Sequence, residues 1–361
     1  DKQPMTSAPV NLTSTSAMKV HCKAPSCSAV HSNLPSSDLC AISGCHLSSI
    51  EISNCKSSPC PPFYYAYGDG SLVGRLYTDS ITLGPPLVIP KFTFACSHST
   101  LAEPVGVAGF GRGLLSLPAQ LAASSPELGN RFSYCLVSHS FNSNRTALPS
   151  PLILGRAPEP PEETATDSDE KTDSKFAYTP LLDNPKNPYF YSVGLDGVSV
   201  GGRNIPAPSL LQKVDEHGTG GVVVDSGTTF TMLPSGFYTK VVDGFNDRMA
   251  GYVRAKEVEE NTGLGPCYYA KNGGVLDVPA MVLRFSGSAS SVALPKRNYF
   301  YQFVDESGGK GRNKKVGCMM LMNGGDEKEL RGGPGATLGN YQQQGFEVVY
   351  DLEMNRVGFA R

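Results

Sequence analysis

The sequence predicts an all-β protein in two β-rich halves, with few and short helices. Short runs rich in Val, Ile, Tyr and Phe recur along the 361 residues, each bounded by Gly, Asn, Asp or Pro, which is how strands and their turns read. Glycine (39) and proline (28) are abundant and helix-period segments are scarce, so strands carry the core. Between Ala157 and Lys175 lie seven acidic and two basic residues and no large apolar one, a composition that cannot offset its own ordering entropy. That segment reads as a solvated linker or insertion. It divides the chain into residues 1–155, 156–178 and 179–361.

Residues 1 to about 60 are rich in Ser and Cys with little periodicity, and read as a loop region that cross-links must hold. Alternating strands then follow around Phe63–Tyr67, Gly74–Tyr77, Ser80–Leu83 and Phe92–Cys96, with Gly68-Asp69-Gly70-Ser71 as a hairpin turn between the first two. The segment Gly106–Gly111 reads as a small apolar strand ending in Gly, echoed by Gly335–Asn340 in the second half. A short helix is expected at Leu117–Ala122, then strands at Arg131–Val137 and Pro151–Leu154. Past the linker come strands at Tyr189–Val193 and Val198–Gly201. An amphipathic helix near Ser235–Met249 then sets Phe237, Val241, Phe245 and Met249 on one face. Strands return near Val282–Phe285, Ser291–Leu294, Tyr299–Val304, Gly317–Met322, Gly345–Tyr350 and Arg356–Ala360.

A composition of 40% hydrophobic and 18% charged residues supports a sizeable core, and a net charge of −2 gives no reason to expect nucleic acid or an anionic membrane as partner. No apolar run reaches the length of a membrane span. The start, Asp1-Lys2-Gln3-Pro4, has no basic n-region and apolar centre, so the chain is either mature or lacks its beginning. Ten cysteines with glycosylation sequons at Asn11 and Asn144 point to an oxidising, glycosylating compartment and hence to secretion. Cys22, Cys27, Cys40, Cys45, Cys55 and Cys60 cluster. Their spacing contains no Cys-x2-Cys pair, which favours disulfides over zinc.

Chemistry concentrates at Val222-Val223-Val224-Asp225-Ser226-Gly227-Thr228-Thr229, a β-branched strand running into a Gly turn that presents one carboxylate. No second Asp-Ser-Gly or Asp-Thr-Gly occurs in the chain. Taken alone, such an Asp is as readily a turn residue satisfied by local amides. Other site classes fall away. The six histidines form no metal-ligand pair, Ser116 and Ser226 lie in no Gly-x-Ser-x-Gly, and His217–Gly221 precedes a strand and so reads as a turn, not a phosphate cradle. No metal and no cofactor is expected.

Read together, these motifs resemble the pepsin-like aspartic endopeptidases, in particular the plant type related to nepenthesin. The resemblance rests on Val224–Thr229, Tyr67-Gly68-Asp69-Gly70-Ser71, Gly106–Gly111 with Leu115–Pro118, Phe132–Leu136, and Leu338–Gln343 leading to Val349–Asp351 and Gly358–Ala360, in family order from about residue 20 to 361. It implies a bilobal β fold in which each lobe gives one catalytic Asp to the cleft between them. In this chain that makes Asp225 catalytic, Ser226, Gly227, Thr228 and Thr229 its substrate-binding frame, and Tyr67, Gly68, Asp69 and Gly70 the tip of a flap spanning 63–83. It also implies a monomer that takes a polypeptide substrate or peptide-like inhibitor, in the apoplast or the vacuole.

The same resemblance implies nested disulfides, Cys22 with Cys45 and Cys27 with Cys40, then Cys55 with Cys60, and Cys267 with Cys318 in the second lobe. It would pair Cys96 and Cys135 with cysteines outside this chain, so here they are expected as free thiols or bonded to each other. The family's first Asp motif, with a Trp shortly after it, would precede the Cys-rich excursion at 20–60, and this chain has no Trp. The expectation is a truncated first lobe, an exposed sheet edge there, and a chain that is inactive or nearly so. A non-catalytic relative that keeps the cleft for binding is the alternative. Asp79 and Asp351 read as structural.

Overall fold

The computed structural model describes residues 16–361 except 53, 56, 67–69, 84–86, 102–105, 138–149, 156–175, 288–290, 306–313 and 327–331. The expected roles of Tyr67, Gly68, Asp69, Asn11 and Asn144, and the acidic segment 157–175, therefore lie outside the described residues. The described residues are mostly strand, with short helices, as composition predicts. They form two compact units, residues 1–130 and 131–361.

The first unit is built on one antiparallel sheet. Its central strand, Ser71–Thr82, pairs with Phe63–Ala66, with Val88–Leu101 and with the short Met18–Lys19. The two strands read at Gly74–Tyr77 and Ser80–Leu83 are this single strand, with a register irregularity between Asp79 and Ile81. Ala66 faces Ser71, so Phe63–Ala66 and the central strand are arms of the predicted hairpin. Gly106–Gly111 forms no strand. Gly106 and Gly109 have open space where a Cβ would stand, and a glycine-rich run has few side chains to hold it in a sheet.

The Cys-rich region is more regular than its composition suggests, with three short helices, Pro25–Val30, Ser36–Ile42 and Leu47–Glu51. Its disulfides join Cys22 to Cys40, Cys27 to Cys60 and Cys45 to Cys55, so the nested pairing is corrected. The helices and the return of the chain explain the difference. The amide of Cys22 donates to Ser58 O (3.1 Å) and that of Cys60 to Val20 O (2.7 Å), laying 58–60 back along 20–22. Cys60 thereby reaches Cys27 on the first helix, while Cys40 on the second helix reaches Cys22. The cystines join Val20, Leu39, Phe63 and Leu76 in one buried cluster, so in this unit covalent bonds are part of the core.

The second unit holds three sheets. A ten-stranded sheet runs in the order Leu321–Asn323, Thr231–Leu233, Ala336–Leu338, Val222–Val224, Ser192–Val193, Ala177–Leu182, Arg356–Ala360, Glu347–Asp351, Arg131–Cys135, Leu152–Leu154. The last two strands were placed by sequence with the first half. They sit here because Arg131–Cys135 pairs with Glu347–Asp351, Phe132 facing Tyr350, so by packing the second compact unit begins at Arg131. Four- and three-stranded sheets complete the unit, the latter tied by Cys267–Cys318. The amphipathic helix spans Ser235–Arg248 and buries Phe237, Val241 and Phe245, with Met249 buried at its C-cap. Phe245 packs on Phe300 at 5.8 Å and Tyr268 at 6.1 Å between ring centres. Truncating such a buried Phe to Ala typically costs about 3–5 kcal/mol. No helix among the described residues is long and apolar enough to cross a membrane.

Candidate functional site

Val222–Val224 is wholly buried and pairs in parallel with Ala336–Leu338. After the Asp225–Phe230 loop the chain returns as Thr231–Leu233, on the other side of Ala336–Leu338, with Met232 facing Thr337. The strand Ala336–Leu338 therefore runs between the two legs of the loop, and its exit must pass directly beneath it. Only glycine permits that passage at 339, since a Cβ there would stand 2.4 Å from the carbonyl carbon of Phe230. The amides that follow rise into the loop. Asn340 N donates to Thr228 O at 2.7 Å, Tyr341 N to Thr229 O at 2.8 Å, and Asn340 Nδ2 to Ser226 O at 3.1 Å.

Within this frame the Asp225 carboxylate is partly buried and held at both oxygens. Oδ1 accepts from Gly227 N at 2.8 Å and Oδ2 from Thr228 Oγ1 at 2.6 Å, while Asp225 N donates to Leu338 O at 3.1 Å. Charge-assisted hydrogen bonds of this kind fix a carboxylate's plane and leave its remaining lone pairs free to accept. Ser226, Gly227 and Thr229 stay exposed. With Phe230, Asn340, Tyr341 and Gln344 they line an open recess of about 360 Å³, so the loop borders a space that a ligand can enter. Of the five predicted residues of this loop, Ser226, Gly227 and Thr229 line the recess, and Gly227 and Thr228 bond directly to the Asp225 carboxylate. Gly70 lies in the first unit, just before the strand Ser71–Thr82.

Several residues that shape the site went unassigned a role by sequence reasoning. Gln342 and Gln343 are buried amides on the short helix Asn340–Gln343. Gln342 accepts from Thr231 N (2.8 Å) and donates to Asn298 O (2.7 Å) and Met320 O (2.9 Å). Gln343 donates to Leu338 O (2.8 Å) and accepts from the Tyr134 hydroxyl. Behind them Phe132, Tyr134 and Tyr191 pack around Tyr350, whose ring stacks on Phe132 at 4.7 Å. Burial pushes the Tyr134 and Tyr350 phenols above their ordinary range, with Tyr134 reinforcing the shift at Tyr350 and the Asp225 charge adding to both. The signal was a polar Tyr-Gln-Gln-Gln run directly after an apolar strand ending in Gly, which marks buried amides with work to do.

The other candidate acids are structural. Asp79 accepts from Ser16 Oγ and Ser80 N, both at 2.8 Å, and Asp351 pairs with Arg356 at 3.2 Å. Asp215 caps the His217–Gly221 turn by accepting from His217 N and Thr219 N. Among the described residues one group of metal-ligating type draws together, Cys27, His31 and Cys60, and its two sulfurs are bonded to each other. Cys96 and Cys135 are free thiols, and burial with the nearby Glu347 charge pushes the Cys135 thiol up.

Comparison with known proteins places this geometry in context. A family model described as xylanase inhibitor N-terminal matches residues 3–156, and one described as xylanase inhibitor C-terminal matches 190–361. The chain is 60% identical over 372 residues to a probable aspartyl protease of Arabidopsis thaliana, covering 100% of this chain and 74% of that protein. It is 35% identical to aspartyl protease family protein 2 of the same plant (82% of this chain, 54% of that protein). Identity to aspartic proteinase nepenthesin-2 of Nepenthes gracilis is 31% (85% of this chain, 61% of that protein). Among solved structures, basic 7S globulin from soybean superposes with a TM-score of 0.66 at 20% identity, over 98% of this chain and 85% of that one. Conglutin gamma from lupine seeds gives 0.63 at 19% (97% and 83%). These likenesses show a shared fold.

Proposed function

This chain belongs to the plant aspartyl protease family, the nepenthesin-like branch of the pepsin-like fold, and from that membership we propose that Asp225 is one of the two catalytic aspartates of a secreted endopeptidase. The observation that carries the reading is the loop itself. Gly227 and Thr228 hold both oxygens of Asp225, as a turn would, but Ser226, Gly227 and Thr229 of the same loop line an open recess, which a purely structural turn does not need.

In the proposed reaction two carboxylates share a site and one proton, because like charges a few Å apart cannot both ionise. The ionised one draws a proton from water as that water attacks the scissile carbonyl, and the protonated one donates to the carbonyl oxygen. Ser226 and Thr229, exposed on either side, would bind the substrate backbone, and the substrate is a polypeptide. Since the 361 residues hold one Asp-Ser-Gly and no Asp-Thr-Gly, this polypeptide by itself is expected to turn over little or nothing. The same single motif favours a second reading, a relative that binds a peptide or another protein without cleaving it.

One comparison separates the two readings. The product of the complete reading frame and the 361-residue chain are assayed side by side for acid-dependent cleavage of a denatured protein, with and without a statine-containing peptide inhibitor. Inhibitor-sensitive cleavage by the former and not the latter supports the enzyme. Tight inhibitor binding with no cleavage by either supports the binding protein.

A further inference from the structure

The amide of Asp225, at the entry to its loop, is held by one carbonyl. Leu338 O accepts from Asp225 N at 3.1 Å and, on its other lone pair, from Gln343 Nε2 at 2.8 Å. With Nε2 on that carbonyl, Gln343 presents Oε1 to the Tyr134 hydroxyl, which donates to it. A flipped amide would set two carbonyl oxygens against each other at Leu338, so the orientation is fixed by proton count. Tyr134 has one hydroxyl proton and gives it to Gln343. The contact between the two phenols, 3.0 Å, therefore requires Tyr350 to donate to Tyr134. The polar chain thus runs one way, from Tyr350 through Tyr134 and Gln343 to Leu338 and the amide of Asp225. Every member of the chain is buried or partly buried, so a break leaves an unsatisfied group inside the protein.

We propose that Tyr134 and Gln343 are positioning residues for Asp225, a relay that fixes the Leu338 carbonyl and through it the height of the carboxylate in the loop. Neither borders the recess; Gln343 acts through the Leu338 carbonyl, and Tyr134 acts through Gln343 and also meets the Ser226 side chain of the loop directly. As a statement about catalysis this rests on Asp225 being catalytic. As a statement about the loop it does not. Tyr134, a phenol, keeps its proton and stays a donor across the whole acid range in which such a protease would work.

The test reads amide hydrogen exchange in the 361-residue chain, in peptides covering 222–230 and 336–343. Tyr134→Phe keeps the ring and removes the donor. It is expected to speed exchange about tenfold in these two segments, the equivalent of one lost hydrogen bond, and to leave 131–135 and 347–351 unchanged. Gln343→Glu supplies the sharper readout. A protonated Glu still accepts from Tyr134 and donates to Leu338, so at pH 4 exchange stays within about twofold of the parent at the same pH. An ionised Glu has no donor, and at pH 8 exchange rises about tenfold. Equal deviation at both pH values, no change in Tyr134→Phe, or loosening spread across the sheet overturns the relay.

In the product of the complete reading frame, Tyr134→Phe is expected to lower kcat about tenfold with KM unchanged. If the parent shows no turnover while exchange behaves as described, the catalytic reading fails and the relay stands. If turnover is present and the variant leaves both kcat and exchange untouched, the relay fails alone.

Discussion

The Cys-rich region at 20–60 and the Asp225 loop are both irregular excursions from a sheet, and they are held in opposite ways. The first is stapled by Cys22–Cys40, Cys27–Cys60 and Cys45–Cys55, with most of those cysteines inside its small hydrophobic cluster. The second contains no covalent link. Its shape comes from a strand passing beneath it, three main-chain amides entering it or leaving it, and buried glutamines wired to the strands on either side. A stapled loop tolerates weak packing because its unfolded state is already constrained. A loop held by hydrogen bonds tolerates no missing partner, and in exchange it sets a carboxylate in one orientation, which is what chemistry requires.

That contrast can be broken from the stapled side first. Replacing Cys27 and Cys60 together by Ala is expected to destabilise the first unit by about 2–5 kcal/mol, read as an earlier unfolding transition for residues 16–130. Exchange in 222–230 should not move, because nothing in the Asp225 loop depends on those sulfurs. The same mild reduction that opens the excursion should leave the loop's protection intact.

From the other side, Gly339→Ala forces a methyl against the Phe230 backbone at 2.4 Å, where the nearest atoms are not side chains that can turn away. It is expected to cost about 1–3 kcal/mol by denaturant unfolding, with the change confined to the second unit. An alanine tolerated at 339 without loss would mean that the loop is slack.

The smallest effect is a pH dependence. Tyr134, Tyr268 and Tyr350 all have phenols raised by burial, so the folded chain keeps those protons at a pH where the unfolded chain releases them. The stability this represents is fully present below the unfolded tyrosine value of about 10 and declines as pH climbs above it. Thermal unfolding between pH 8 and pH 11 should show the second unit's transition falling, and Tyr350→Phe should flatten that fall.

Much of this was legible in the residues. Alternating apolar runs located the strands, and the i, i+4 spacing of Phe237, Val241, Phe245 and Met249 located the long helix, because each pattern is local. The Asp225 motif was legible for the same reason: Val222–Thr229 is one strand and one turn. What the sequence hid is non-local. The cystine pairing depends on three short helices and on the return of 58–60 along 20–22, which bring Cys40 to Cys22 and Cys60 to Cys27. Arg131–Cys135 belongs to the second unit because its partner strand, with Tyr350, lies 216 residues beyond Tyr134. The roles of Gln342 and Gln343 depend on the carbonyls of Met320, Asn298 and Leu338, which no linear pattern brings together. Gly106–Gly111 misled because a strand needs a neighbour: its echo Ala336–Leu338 lies between Val222–Val224 and Thr231–Leu233, whereas no strand among the described residues pairs with 106–111.

If Asp225 is placed for catalysis and not for folding, its loss must cost turnover without costing stability. In the product of the complete reading frame, acid-dependent hydrolysis of a peptide substrate is compared for the parent, Asp225→Asn and, as a control, Asp215→Asn, with unfolding followed in parallel. Asp225→Asn is expected to lower turnover by about 10²–10⁴-fold at nearly unchanged stability, while Asp215→Asn leaves turnover within about twofold. Turnover that survives in Asp225→Asn, or that is lost only because the variant unfolds, would contradict it.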